Sequence, residues 1–221
     1  MSRGEYVAVG GNVSEFGVAL YRHCFVYPQH VPGRKHGPQG YANYEAYRDW
    51  LRDEFSFRCA YCLMRETWLR GSIGFQIDHC IPQAQHPAGT LDYDNLVYTC
   101  PWCNQAKAGV PVPNPTEVAY GTALHVDDDG IIQAKNALGL VLIEGLRLAH
   151  HELTSQRRMV LRIARLAEEK NNLPVMLNLL GYPDTLPNLK RKRPPAGNTR
   201  PDGIHNSCYQ KHRRGELGLI Y

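Results

Sequence analysis

Two Cys-x-x-Cys pairs, Cys59/Cys62 and Cys100/Cys103, enclose an Asp78-His79 dipeptide and Asn95, and Asn104 follows the last thiol directly. Each pair has the bite that lets two thiolates share one tetrahedral zinc ion. Four thiolates leave no open coordination position, so the expected zinc is structural. Such a site contributes about 10 kcal/mol or more of apparent folding free energy. The 37 residues between the pairs exceed the spacing of a plain zinc ribbon, which asks for a function inside the insert.

That insert holds a second kind of chemistry. Asp78 is a hard carboxylate of the type that Mg²⁺ or Mn²⁺ prefers. An imidazole can take a proton from water near neutral pH, so His79 is the candidate general base. Asn104 can add a neutral oxygen to the ion that Asp78 holds. With only two protein ligands, the ion keeps room for waters and for phosphate oxygens, an arrangement suited to phosphodiester hydrolysis. Asp78 and His79 are sequence neighbours, however, and successive strand residues point to opposite faces. A shared site requires the backbone to bend near Pro82.

The segments around these residues must place them. Residues 75–79 alternate apolar and polar and read as a short strand, Pro82, Pro87 and Gly89 break the chain, and residues 96–98 read as a second strand. A short helix over 102–108 completes a ββα unit. Upstream, Tyr44, Tyr47, Leu51 and Phe55 recur at helical spacing over 41–55 and predict an amphipathic helix packed against the zinc unit.

Three segments, Ile77-Asp78-His79-Cys80-Ile81-Pro82, Asp94-Asn95-Leu96 and Cys100-Pro101-Trp102-Cys103-Asn104-Gln105-Ala106-Lys107, resemble the core of HNH endonucleases, the HNH domain of RNA-guided CRISPR nucleases among them. The resemblance covers about residues 55–110 and implies an α+β fold, a small ββα-metal (treble-clef-like) zinc core flanked by an N-terminal helix and a C-terminal helical region. It implies His79 as general base, Asp78 and Asn104 as ligands of a single catalytic Mg²⁺ or Mn²⁺, and structural Zn²⁺ on the four cysteines. Asn95 is then expected to hold the catalytic loop and Lys107 to lie near the phosphate. The third signature position is Asn104 where many members carry His. Cleavage to a 5′-phosphate and a 3′-hydroxyl without a covalent intermediate is the implied outcome.

Composition frames the rest. The 221 residues are 43% apolar and 21% charged, as in a globular protein. No apolar run approaches the length of a membrane span, and the start of the chain has no secretory pattern, so a cytoplasmic location is expected. Cys24, Cys80 and Cys208 are left over from the pairs and are expected as buried thiols. The organisation expected is an irregular arm at 1–40, the nuclease core at 41–110, a hairpin plus helices at 111–180, and a basic, Pro-rich tail at 181–221. A hairpin is expected over 125–132; from 138 to 170 one helix, or two broken near Thr154-Ser155, fits the apolar spacing. The run Asp127-Asp128-Asp129 lacks the closing Glu of a calcium loop.

Charge points to the partner. Residues 188–221 hold eight Lys and Arg against two acidic residues, while the whole chain carries only +4. A concentrated basic segment attracts polyphosphate backbones whatever their sequence. Lys190, Arg191, Lys192, Arg193, Lys211, Arg213 and Arg214 in the tail, with Arg157 and Arg158 upstream and Lys107 in the core, are the candidate nucleic-acid contacts. DNA is favoured over RNA, a regulatory protein partner is a further expectation, and the oligomeric state stays open. Two other classes compete: a non-catalytic zinc-stabilised binding module, and an HNH-type RNase or anti-phage effector subunit controlled by a partner.

Overall fold

The computed structural model describes residues 20–69 and 74–221. Residues 1–19, the first half of the expected N-terminal arm, lie outside the described residues.

The zinc unit forms where the alternation and turn residues place it. Strand β1 (Gln76–His79) pairs antiparallel with β2 (Leu96–Thr99), with Asp78 opposite Val97 and His79 opposite Leu96. Helix α2 (Pro101–Lys107) starts with proline in its first turn, where the missing N–H costs nothing, and stops at Ala108 and Gly109 in left-handed conformation. A 3₁₀ turn (Tyr44–Tyr47), capped by the Asn43 side chain, runs into α1 (Arg48–Glu54). Tyr47, Trp50 and Leu51 of this helical segment enter the core shared with the cysteines and with Leu96 and Val97.

Its acidic residues do not behave as a solvated face. Asp53 and Glu54 are buried at the end of α1. Asp53 accepts from His36 Nε2 (2.9 Å) and the Cys208 amide (2.7 Å). Glu54 accepts from the Lys35 amide (2.7 Å), the His36 amide (3.1 Å) and the Tyr93 hydroxyl (3.0 Å). Buried carboxylates need such partners, since removing a charge from water is costly unless hydrogen bonds replace hydration. Burial pushes Asp53 up, but the His36 ring, the Lys35 charge and the Cys208 amide more than reverse it and hold it below the ordinary carboxylate range.

Beyond the zinc unit, β3 (Leu124–Val126) and β4 (Ile132–Ala134) form the expected hairpin. Asp127 spends its Oδ1 on the Asp129 and Ile131 amides, shaping the turn. Two helices follow, α3 (Ala137–Gly145) and α4 (His151–Glu169). The break falls at 146–150 and not near Thr154-Ser155. There Arg147 turns left-handed while Leu146 and Leu148 stay fully buried, so packing on both sides of the kink outweighs continuous helix. Helix α5 (Leu173–Leu180), capped by Asn172 with Pro174 in its first turn, packs on α4. No helix among the described residues is long and apolar enough to cross a membrane.

The C-terminal segment differs most from its expected form. The basic, Pro-rich stretch folds back along residues 35–40 and α1. Thr199 and Gln39 exchange backbone bonds with Gly37 and Gly197, and Leu189 is fully buried. Two short helices follow, α6 (Asp202–His205) and α7 (Cys208–Arg213). Gly203 sits so close to 35–36 that a β-carbon there would lie 1.9 Å from the Lys35 carbonyl oxygen. At the chain end the Tyr221 ring lies under the buried Arg65 guanidinium, 4.0 Å from its centroid, a cation–π contact across the sequence. Specific partners separated by more than a hundred residues hold the segment down, which composition could not reveal.

Candidate active site and zinc centre

The two knuckles meet in the core. The Sγ atoms of Cys59, Cys62, Cys100 and Cys103 all lie within 4.8 Å of one another and all four residues are buried. Tetrahedral zinc with thiolate bonds near 2.3 Å would set sulfur–sulfur separations of about 3.8 Å, and Cys62 and Cys100 already lie 3.5 Å apart. Donor type, number and spacing therefore fit structural zinc. Leu63 takes the left-handed conformation that closes the first knuckle, whose Ala60 amide bonds the Tyr98 carbonyl and so ties it to β2. Cys24, Cys80 and Cys208 are buried thiols outside the four-cysteine cluster.

On β1 the strand period separates the two candidate chemical residues. Asp78 looks toward α2. Its Oδ1 lies 3.3 Å from Lys107 Nζ, and its Oδ2 accepts from the Tyr61 hydroxyl at 3.0 Å. Burial pushes the Asp78 carboxyl above its ordinary range, with Lys107 and Tyr61 pulling against it. Burial, with Cys80 and Asp78 nearby, also lifts Tyr61 well above the usual phenol range, so it stays a donor. Asn104 is half-buried on the first turns of α2, where its amide nitrogen bonds Gln76 Oε1 at 2.6 Å. Asp78 and Asn104 thus belong to the same side of the β1–α2 unit.

His79 turns the other way. Its ring stands edge-on to Tyr44, with centroids 5.2 Å apart. Its Nε2 lies 3.0 Å from the Thr90 carbonyl, and the Gln83 carboxamide sits 3.2 Å from the same nitrogen. The Thr90 carbonyl can only accept, so this contact calls for the ring proton on Nε2 and a bare Nδ1 in the neutral ring. The Gln83 amide nitrogen is itself a donor and makes no hydrogen bond to Nε2 in that tautomer. No hydrogen bond among the described residues engages Nδ1.

Asn95 is the clasp between the two strands. Its side chain accepts from the Ile81 amide (2.8 Å) and donates to the Ile81 carbonyl (3.0 Å) and the Gly89 carbonyl (3.3 Å). The neighbouring Asp94 is held by Arg200 of the C-terminal segment in a two-pronged pair at 2.9 and 2.8 Å.

The candidate nucleic-acid contacts divide. Lys107 is buried, its Nζ bonded to the His79 carbonyl at 2.7 Å as well as to Asp78, and so it is not displayed on the surface. Arg157 is likewise an internal fastener, donating to the Gly130 and Leu148 carbonyls, because α4 turns that side of the helix inward. Arg158 is exposed beside Asp129. Lys190, Arg191, Lys192, Arg193, Arg213 and Arg214 are exposed and Lys211 half-buried, but Lys192 pairs with Asp49 and Arg214 with Glu216. Tyr44, Tyr61, Gln76, Gln83 and Thr90 were invisible as site residues in the sequence. Only their place in the fold sets them against Asp78, Asn104 and His79.

Comparison with known proteins agrees with this geometry. A comparison with curated proteins gives no match. The family model for HNH endonuclease matches residues 59–108, from the first zinc knuckle to the end of α2. Residues 59–108 of this chain therefore carry the HNH endonuclease signature, in a ββα unit whose four cysteines could hold zinc.

Proposed function

We infer that the chain is a metal-dependent HNH endonuclease that hydrolyses phosphodiester bonds in nucleic acid, DNA ahead of RNA. The observation that carries this reading is the hydrogen bond from His79 Nε2 to the Thr90 carbonyl, which leaves Nδ1 as a fixed acceptor of the kind a general base needs. Asn95 supports that role by holding the Ile81 backbone directly after the base. Tyr44 packs against the ring and limits its rotation.

Asp78 and Asn104 are the residues that would hold one divalent ion, Mg²⁺ or Mn²⁺. Their oxygens are hard donors, and the Lys107 ammonium beside Asp78 shows that the position already balances positive charge. When bound, such an ion supplies charge stabilisation to the scissile phosphate and its leaving oxygen. His79 would take the proton of the attacking water at Nδ1, and the Thr90 carbonyl would stabilise the imidazolium through Nε2–H. The exposed basic residues of 190–193 and 211–214, with Arg158, would hold the backbone by charge.

A second reading, a binding module without catalysis, has two observations in its favour: both Asp78 oxygens are engaged within the protein, and the pleat of β1 turns His79 away from Asp78. One experiment separates the two. Plasmid, single-stranded DNA and RNA are incubated with the protein in Mg²⁺, Mn²⁺ or chelator, beside His79→Ala. Cleavage that needs a divalent ion and His79 supports the nuclease. Binding without cleavage under every condition supports the module or an enzyme awaiting a regulatory partner.

A further inference from the structure

Lys107 is 1% exposed, yet among the described residues its ammonium bonds only the His79 carbonyl and one Asp78 oxygen, at 2.7 and 3.3 Å. A lysine ammonium is a compact, strongly hydrated charge, and burying it is unfavourable unless a carboxylate compensates. The compensating carboxylate is the same one that the nuclease reading assigns to the divalent ion. Asn104, the other assigned ligand, lies three residues earlier on α2, so an ion held by both would sit next to the Lys107 ammonium. Like charges a few Å apart in a poorly screened interior repel strongly. Cation and ammonium therefore compete for Asp78.

We propose that Lys107 is a built-in counter-ion of the site, a positioning residue that occupies Asp78 until a divalent cation displaces it. Withdrawal of the ammonium from Asp78 also acts on the Lys107 bond to the His79 carbonyl, so ion loading is transmitted to the backbone of the base. The role differs from a phosphate contact, because in this structure Nζ faces the protein interior. The proposal rests on Asp78 being an ion ligand.

The test uses the full chain and Mn²⁺ alone, with calorimetry as the readout and no nucleic acid present. Wild type, Lys107→Gln and Asp78→Asn are compared at about pH 8, where carboxylates are ionised. Glutamine keeps a donor for the His79 carbonyl and removes the charge. Lys107→Gln is expected to bind Mn²⁺ about tenfold or more tightly than wild type, and Asp78→Asn to lose binding. Equal or weaker Mn²⁺ binding by a Lys107→Gln protein that keeps its zinc and its melting transition overturns the proposal. If that variant does not fold, ¹³C-lysine spectra of the wild type decide, with the Lys107 signal identified by its loss in Lys107→Arg. It must shift on saturation with Mg²⁺, and an unmoved signal overturns the proposal. Mn²⁺ binding that survives Asp78→Asn unchanged would instead remove the ligand assignment beneath it.

Discussion

The Asn95 side chain grips Ile81 by both backbone polar groups, accepting from its amide at 2.8 Å and donating to its carbonyl at 3.0 Å. Ile81 is two residues past His79, so this clasp fixes where the chain leaves β1 and hence where the imidazole points. Asn95→Asp keeps the acceptor but turns the donor into an oxygen facing the Ile81 and Gly89 carbonyls. Leaving buried polar groups without partners costs about 1–3 kcal/mol each. The variant should melt lower, and a base displaced by as little as an ångström should cleave about 10²-fold more slowly. Thermal melts beside single-turnover cleavage measure both, and Asn95→Asp with wild-type cleavage would separate the clasp from catalysis.

His79→Ala should reduce cleavage by the ~10²–10⁴-fold that a general base contributes. Zinc content and cooperative melting should persist, because the ring packs against Tyr44 and the Thr90 carbonyl and not among the thiols. Turnover assays with metal analysis on the same preparation check this.

Cys100→Ser should lose zinc and stability together. The buried thiols converge without a carboxylate or imidazole in the cluster, so removing one ligand leaves an incomplete tetrahedron in the core. The loss should amount to several kcal/mol of apparent folding free energy. Zinc analysis beside a melt, with and without chelator, is the measurement.

The Asp53 carboxyl ties His36 and α7 to α1, and its folded value lies below the unfolded one. A depressed acid contributes stability that is present above its unfolded value and is lost as pH falls through its folded value, here below about pH 4. Asp53→Asn leaves one of its two donors without an acceptor and should cost about 1–3 kcal/mol at neutral pH. Denaturant melts across pH should show the gap between variant and wild type closing on the acid side. A constant gap would mean that the charge of Asp53 contributes nothing.

Gly203→Ala tests the docking of the C-terminal segment. The added methyl would meet the Lys35 backbone oxygen, and such overpacking costs about 1–3 kcal/mol or more. Proteolysis should then cut within 188–221 faster than in the wild type. Deleting 188–221 should destabilise the fold as well as weaken nucleic-acid binding, since Arg200 and Leu189 leave with it.

The sequence by itself determined the zinc knuckles, the ββα unit, the hairpin and the identity of the residues between the cysteine pairs. These are local features: ligand bite, strand alternation, proline at a helix start and an Asp-Gly turn act over a few residues. What it could not determine was which side chains meet across long separations. Lys107 and Arg157 read as surface cations, but the tertiary fold brings carbonyls and a carboxylate to them and turns them inward. The helical spacing over 41–55 said nothing of Asp53, on which His36 and Cys208 converge from distant parts of the chain. The segment 181–221 read only as basic and Pro-rich because composition records charge and not partners, whereas Asp94 and the Lys35 backbone hold it in place. Asp78 and His79 are adjacent in the chain and share no face, since the pleat of β1 sends them to different neighbours. Lys107, reaching the carboxylate of one and the carbonyl of the other, is the link that only the folded chain supplies.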